Sequence, residues 1–379
     1  MVRAGDREPV AGRVFGLDLL RALAIVLVVL VHCSPWQLGR IDGIGWLFRI
    51  DGVDLFFVLS GYLVGGLLLK AADRPDMAWR FRLLDFWQRR WLRTLPDYYV
   101  FLIINILLVA AGLAPGMLSH ATPAYAVFMQ DVIKPLDLFF WESWSLSVEE
   151  WFYLLFPIIM IAVVKAFRMP VRKAFLFTAL VFIAVPPMVR ASYLGQLPDH
   201  MAISLHVRRM VPTRLDAIGY GALAVWSHRT FPLRWNGSRW PLFLLGAVSL
   251  PALSLYKPGS GTTYMVVWFG AVSAAIAMLL PLLSSWHCTS RWSWPVTTLS
   301  RISYSIYLVH MPVLYLFFRW WPVDGVVPFV VYLMVVLASA HAAMRLIEQP
   351  FMRLRDKVGA RIRKAATISP PTPGRRTSP

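Results

Sequence analysis

Ten apolar stretches, separated by short polar segments, run along almost the whole chain. A membrane-spanning helix needs about 20 predominantly apolar residues. The pattern therefore predicts an all-α protein, a polytopic transmembrane helical bundle of about ten spans with both termini in the cytoplasm. The predicted spans lie near residues 15–34, 50–69, 96–112, 147–165, 174–191, 213–226, 241–256, 264–283, 301–319 and 326–344.

The charge of the chain follows this pattern. It has 38 Lys and Arg against 20 Asp and Glu, a net charge of +18, and most of the cations fall in the segments on the same side as the N-terminus. This is the positive-inside distribution of a membrane protein, so we expect no nucleic-acid partner. We divide the chain into a cytoplasmic tail (1–12), a membrane domain (13–356) and a basic, Pro- and Ser-rich tail (357–379) that we expect to be disordered in the cytoplasm.

Composition agrees with a membrane protein, because 58% of the residues are hydrophobic and only 15% are charged. The first apolar run is too long for a signal-peptide core and has no small-residue cleavage pattern after it, so it is predicted to be a retained helix. Cys33 and Cys288 allow no disulfide framework and no recognisable metal cluster. We therefore expect no metal.

The first span, "GLDLLRALAIVLVVLVHCS", carries three ionisable residues. Arg21 and His32 are eleven residues apart, which returns a helix to within about 20° and separates them by roughly 16 Å along its axis. Asp18 lies about 40° from the same line. The stripe has two interpretations, interfacial anchoring of Arg21 and His32 or a functional path through the membrane.

The second span opens with "GVDLFFVLSGYL", which places Asp54 near the same boundary as His32 if the two helices are antiparallel. Asp54 either caps its helix or hydrogen-bonds to His32 and makes that histidine a better base. The next segment, "FWQRRWLRTLPDYY", aligns Arg89, Arg90 and Arg93 on one cationic edge. That edge is either a positive-inside anchor or a clamp for phosphate oxygens.

Further polar residues lie in the later spans. In "WSLSVEEWFYLLFP", Glu149 and Glu150 suit a helix N-terminus, but two adjacent carboxylates cannot both face lipid. Arg214 and Asp216 repeat the theme in "RLDAIGYGALA". The mid-membrane His310 of "SYSIYLVHMP" is, taken alone, better interpreted as a satisfied interior histidine. The sequence has no nucleophile elbow, zinc helix, P-loop or dinucleotide-binding glycine pattern.

With these blocks in their order, and with "FWQRRWLRTLP" and "RLIEQPFMRLR" among them, residues 13–356 resemble the acyltransferase 3 family of multipass membrane acyltransferases. The resemblance implies an acyl-CoA donor, usually acetyl-CoA, bound from the cytoplasm, and a glycan or glycolipid acceptor across the inner membrane of a bacterium. Many members also carry a hydrolase-like domain after the last helix; we expect no counterpart of it in this chain, which leaves the acceptor open.

On this resemblance each candidate residue has an expected role. His32 is the general base or a transient acyl carrier, and Arg21 holds donor phosphate or polarises the thioester. The expected catalytic residues are His32, Asp54, Glu149 and Glu150; the expected donor-binding residues are Arg21, Arg89, Arg90 and Arg93; and the expected substrate-binding residues are Asp18, Arg214, Asp216, Tyr304 and His310.

Two alternatives remain at this point. The same residues suit acylation of a small molecule or a lipid headgroup. A transporter or flippase also buries ionisable residues along its path, but it more often shows two related halves, and the sequence shows no internal repeat.

Overall fold

A computed structural model describes residues 13–33, 51–73, 77–256, 261, 263–288, 290–321 and 326–368. These residues form helices and turns with no strand among them, which confirms the all-α prediction. The helices are α1 (Phe15–Cys33), α2 (Gly52–Ala72), α3 (Trp79–Ala110), α4 (Ser143–Phe167), α5 (Val171–Ser192), α6 (His200–Ile203), α7 (Leu215–Thr230), α8 (Pro232–Gly237), α9 (Arg239–Tyr256), α10 (Phe269–Leu283), α11 (Trp294–Trp320), α12 (Val326–Ala343) and α13 (Gln349–Ile368).

Each of the ten apolar stretches falls on a helix. Within the described residues, seven helical stretches are long and apolar enough to cross a membrane: α1 to α5, the stretch Thr263–Leu283 and the stretch Val327–Ala366. The remaining predicted spans correspond to α7, α9 and α11. Helix α7 has 16 residues, about 24 Å of helix against a hydrocarbon core of about 30 Å. The chain is a multi-pass membrane protein, and the count of ten spans with its orientation stays a prediction.

Helix α2 lies at the centre of the bundle, since 72% of its most apolar stretch is buried. It packs along α7. The contact depends on Gly61 and Gly221, because a Cβ at either position would overlap the backbone of the opposite helix, at Ile218 or at Val58. This close approach brings the start of α2 beside the start of α7.

Helices α1 and α11 pack side by side in the same direction. Ser300 donates to Asp18 (2.7 Å) at one end of the pair, and His310 meets His32 (3.3 Å) at the other. The polar face of α1 predicted from spacing therefore lies against α11. Of its three ionisable residues, Asp18 and Arg21 lie at the Ser300 end of the pair and His32 lies at the His310 end.

Helix α3 has 32 residues, and its polar first half packs against α13. Gly359 of α13 sits close to Asp85 and Gln88, and Arg363 approaches Asp85 (3.4 Å). Composition predicts a disordered tail from residue 357, but residues 357–368 are helical, because this basic segment packs against α3. Residues 1–12 and 369–379 lie outside the described residues.

Candidate active site

A cavity of about 310 Å³ opens between five helices, α1, α2, α3, α4 and α11. One part of its wall is apolar and comes mainly from α2. The other part is polar and brings together five of the predicted site residues. The polar wall consists of Arg21, Ser60, Arg90, Arg93, Thr94, Ser145, Glu149, Ser303, Tyr304 and Tyr307.

Glu149 is held by two hydroxyl groups on this wall. Ser60 donates to one carboxylate oxygen (2.7 Å) and Tyr153 to the other (2.7 Å). The Tyr153 hydroxyl in turn accepts a hydrogen bond from Arg90 (2.8 Å). Glu149 is thereby tied to one cation through Tyr153 and keeps a fixed orientation at the cavity.

The other two guanidinium groups of the wall, those of Arg21 and Arg93, donate no hydrogen bond to a carboxylate among the described residues. Arg93 makes no hydrogen bond within the described part of the chain. Arg21 donates to Ser300 (3.3 Å) and lies 3.7 Å from Asp18, whose carboxylate is already engaged by Arg13 (2.5 Å). Asp18 therefore orients Arg21 from behind. The wall itself carries three guanidinium groups and one carboxylate, and the buried Glu348 interacts electrostatically with Arg93 and Arg21 from outside the lining.

The second predicted carboxylate on α4, Glu150, lies behind the wall. It accepts a hydrogen bond from Thr94 (2.8 Å), whose backbone carbonyl accepts one from Tyr304 (2.7 Å). Since Thr94 and Tyr304 both line the cavity, Glu150 acts on it through Thr94.

His32 and His310 form a pair at the far end of α1 and α11. The Nδ1 atom of His32 lies 2.8 Å from the Val28 carbonyl oxygen and 3.3 Å from Nε2 of His310. Tyr307 connects the pair with the cavity: its ring centroid is 5.8 Å from that of His310, and it lines the cavity itself. His310 is fully buried, whereas His32 is partly exposed.

A family model described as "Acyltransferase domain" matches residues 14–344, the part of the chain that contains the cavity and the histidine pair. The chain belongs to the acyltransferase 3 family. Two similar proteins from Staphylococcus aureus are "Putative O-acetyltransferase SACOL0978" (strain COL; 27% identity over 368 residues) and "O-acetyltransferase OatA" (strain NCTC 8325 / PS 47; 26% identity over 374 residues). Each alignment covers 89% of this chain and 57% of the relative, so the chain spans little more than half of their length. No solved structure matches it significantly.

For this acyltransferase domain the structure changes the assignment of Asp54. We expected Asp54 to hydrogen-bond to His32 or to cap α2. Instead Asp54 forms a buried ion pair with Arg214, and the neighbouring Asp51 caps the helix by accepting from the Val53 amide (3.0 Å). The physical reason is that a buried guanidinium requires a counter-ion more strongly than a neutral imidazole does.

Asp216 likewise has a structural partner rather than a place at the cavity. It pairs with Arg190 (2.7 Å), and neither side chain is exposed by more than 1%. The ring of Phe269 lies 4.5 Å from the Arg214 guanidinium and 5.4 Å from that of Arg190. Arg214 and Asp216 therefore belong to a four-residue ion-pair cluster with Asp54 and Arg190.

Arg89 is the one residue of the cationic edge that points elsewhere. Its side chain pairs with Asp85 (3.0 Å) on the same helix and is absent from the cavity wall, unlike Arg90 and Arg93. Positions 89, 90 and 93 point in more than one direction around a helix, so spacing alone could not separate Arg89 from Arg90 and Arg93.

Sequence reasoning missed four residues that the structure makes important. Arg190 had a signal, because it is the lone charge in its apolar stretch. Ser60 and Tyr153 are ordinary residues of a membrane helix, and only their hydrogen bonds to Glu149 indicate a role at the site. Glu142 is 4% exposed, and its carboxyl oxygens have no hydrogen-bond partner among the described residues, so burial raises the pKa of this carboxyl to about 8.

No group of three or more potential metal ligands occurs in the described residues. The ionisable groups of the cavity and the histidine pair are imidazole, carboxylate, guanidinium and phenol groups.

Proposed function

We propose that this protein is an integral membrane O-acyltransferase of the bacterial inner membrane. It transfers an acetyl or other short acyl group from cytoplasmic acyl-CoA to a hydroxyl group of a cell-surface or exported glycan. The observation that carries the proposal is the arrangement of one cavity with surplus guanidinium groups on its wall and a histidine pair one side chain away. Relatives named O-acetyltransferase support the acyl group and the oxygen acceptor.

The donor fits the cationic wall. Arg21, Arg90 and Arg93 offer planar guanidinium groups that match phosphate oxygens. The cavity volume of about 310 Å³ is at the low end for a ligand site, so we expect it to receive the pantetheine arm and thioester of CoA rather than the whole coenzyme. The apolar wall formed by Leu63, Val64 and Leu67 suits such an arm.

The acceptor is assigned to the histidine end. His32 lies roughly 16 Å along α1 from Arg21, which separates the donor phosphates from the reacting carbonyl by the length of an extended arm. A hydroxyl oxygen attacks the thioester carbonyl carbon while His32 removes its proton. The carbon–sulfur bond then breaks, and the proton returns from His32 to the sulfur, which gives an ester and free CoA.

The test is transfer of label from radiolabelled acetyl-CoA to the glycan fraction in membranes that contain the full chain. We expect His32→Ala to lower transfer by about 10²–10⁴-fold, the usual contribution of general acid–base catalysis. His341→Ala, at an exposed histidine of α12, is the matched control and should leave transfer unchanged. Full activity of His32→Ala would refute the catalytic assignment. Mass analysis of glycans from cells with and without the gene would identify the acceptor and acyl group together.

A further inference from the structure

We propose that His310 is a positioning residue that, together with the Val28 carbonyl, holds the ring of His32 in the one orientation and tautomer able to act as the base. This inference rests on the proposed function. It replaces the expected role of His310 in substrate binding, because the buried His310 meets His32 at 3.3 Å and does not line the cavity.

The hydrogen bonds assign the protons on both rings. The Nδ1 atom of His310 lies 3.2 Å from the Ile306 carbonyl oxygen, and a carbonyl oxygen only accepts. His310 therefore carries its proton on Nδ1, which leaves a lone pair on Nε2. That lone pair faces Nδ1 of His32.

The same reasoning applies to His32. Its Nδ1 faces two acceptors, the Val28 carbonyl oxygen (2.8 Å) and Nε2 of His310 (3.3 Å). Nδ1 must then carry the proton, and Nε2 of His32 is left as the basic nitrogen. Each histidine bonds a carbonyl four residues earlier in its own helix, so the helix geometry fixes both rings.

This arrangement also acts during the reaction. When His32 accepts the proton of the acceptor hydroxyl on Nε2, it becomes an imidazolium whose Nδ1–H still has two acceptors. A neutral imidazole acceptor thus does part of what the aspartate does in a Ser-His-Asp triad, orienting the ring and stabilising its charged form. Because His310 is uncharged, it does so without burying a second ion.

The test compares three substitutions at His310 in purified protein, with kcat and KM measured for acyl-CoA. His310→Phe removes the acceptor, and we expect kcat to fall by about 10²-fold, the lower end of a general-base contribution. His310→Gln places an amide oxygen near the position of Nε2 and should recover kcat to within a few-fold. His310→Asn places it near Nδ1, too far from His32, and should resemble His310→Phe. KM for acyl-CoA should stay within twofold in all three.

The outcomes separate this inference from the proposed function. If His32→Ala is inactive while His310→Phe keeps full kcat, the positioning role is wrong and the proposed function stands. Equal loss in the Gln, Asn and Phe variants would also refute it, since a merely structural histidine gives that result. Ring-nitrogen NMR of the unmodified protein gives a reading independent of the variants: we expect His32 protonated on Nδ1, and a proton on Nε2 in the neutral form would overturn the assignment.

Discussion

Two regions of this membrane domain bury ionisable side chains in different ways. In the ion-pair cluster, Asp54 faces Arg214 and Asp216 faces Arg190, and every one of these side chains is at most 2% exposed. At the cavity, the wall has more guanidinium groups than carboxylates, and the side chain of Arg21 is 19% exposed. Balanced pairs need no ligand, whereas a surplus of cations beside a cavity favours an anionic one.

The difference shows how residue type alone misleads in membrane helices. Arg214 and Arg93 are both arginines in apolar stretches of the sequence, and the sequence makes both of them site candidates. A buried ion pair roughly balances its own desolvation cost and serves packing or specificity. Only the neighbours of each arginine distinguish a role in the fold from a role in binding.

The largest effect should come from breaking the balanced cluster. Arg214→Met leaves the buried Asp54 without its direct ion-pair partner, and we expect the free energy of unfolding to fall by about 3–5 kcal/mol. Reversible unfolding in detergent mixtures measures this change. The double variant Asp54→Leu/Arg214→Met removes both charges and should recover most of the loss, so a double variant no more stable than the single one would contradict the pairing argument.

A smaller effect is expected from removing a cation of the cavity. Arg93→Ala should raise KM for acyl-CoA by about 10- to 100-fold, because hydrogen bonds to charged groups contribute about 1.5–3 kcal/mol. Its free energy of unfolding should fall less than that of Arg214→Met, since Arg93 loses no hydrogen bond among the described residues and gives up only an electrostatic interaction with the buried carboxylate of Glu348.

Arg89→Ala is the matched control for this prediction. It removes the same group four residues earlier on α3, but from a side chain that pairs with Asp85 outside the cavity. We expect KM for acyl-CoA to change less than twofold. Equal effects of the two substitutions would mean that the cationic edge acts as a diffuse surface and not through the cavity.

The sequence predicted the helical architecture well, because the period and length of apolar stretches report directly on membrane helices. It also predicted that Asp18, Arg21 and His32 share a face, since helix geometry determines this locally. The face indeed meets one helix, α11, through Ser300 and His310.

Partner choice between distant segments could not be predicted in the same way. Asp54 is equally near to His32 and Arg214 as far as a single sequence can show, and the choice depends on the close α2–α7 packing at Gly61 and Gly221. The pairing of His32 with His310 depends on the parallel packing of two helices nearly 280 residues apart. Such contacts follow from tertiary structure and leave no local pattern.

Glu142 provides a third case for the comparison, a buried carboxyl with neither a paired cation nor a hydrogen-bond partner among the described residues. Its pKa is raised to about 8 by burial, above the ordinary 4.5, so the folded protein binds this proton more tightly than the unfolded chain. The free energy of unfolding should therefore fall as pH rises from about 4.5 to about 8, by at most about 1.4 kcal/mol per pH unit.

In Glu142→Gln, which keeps the shape of the side chain but does not titrate, the loss of stability between pH 6 and 8 should be smaller, as measured by thermal unfolding in detergent at both pH values. Identical pH dependence in the two proteins would show that Glu142 is ionised in the folded state, and hence that a cation or donor neutralises it as in the ion-pair cluster.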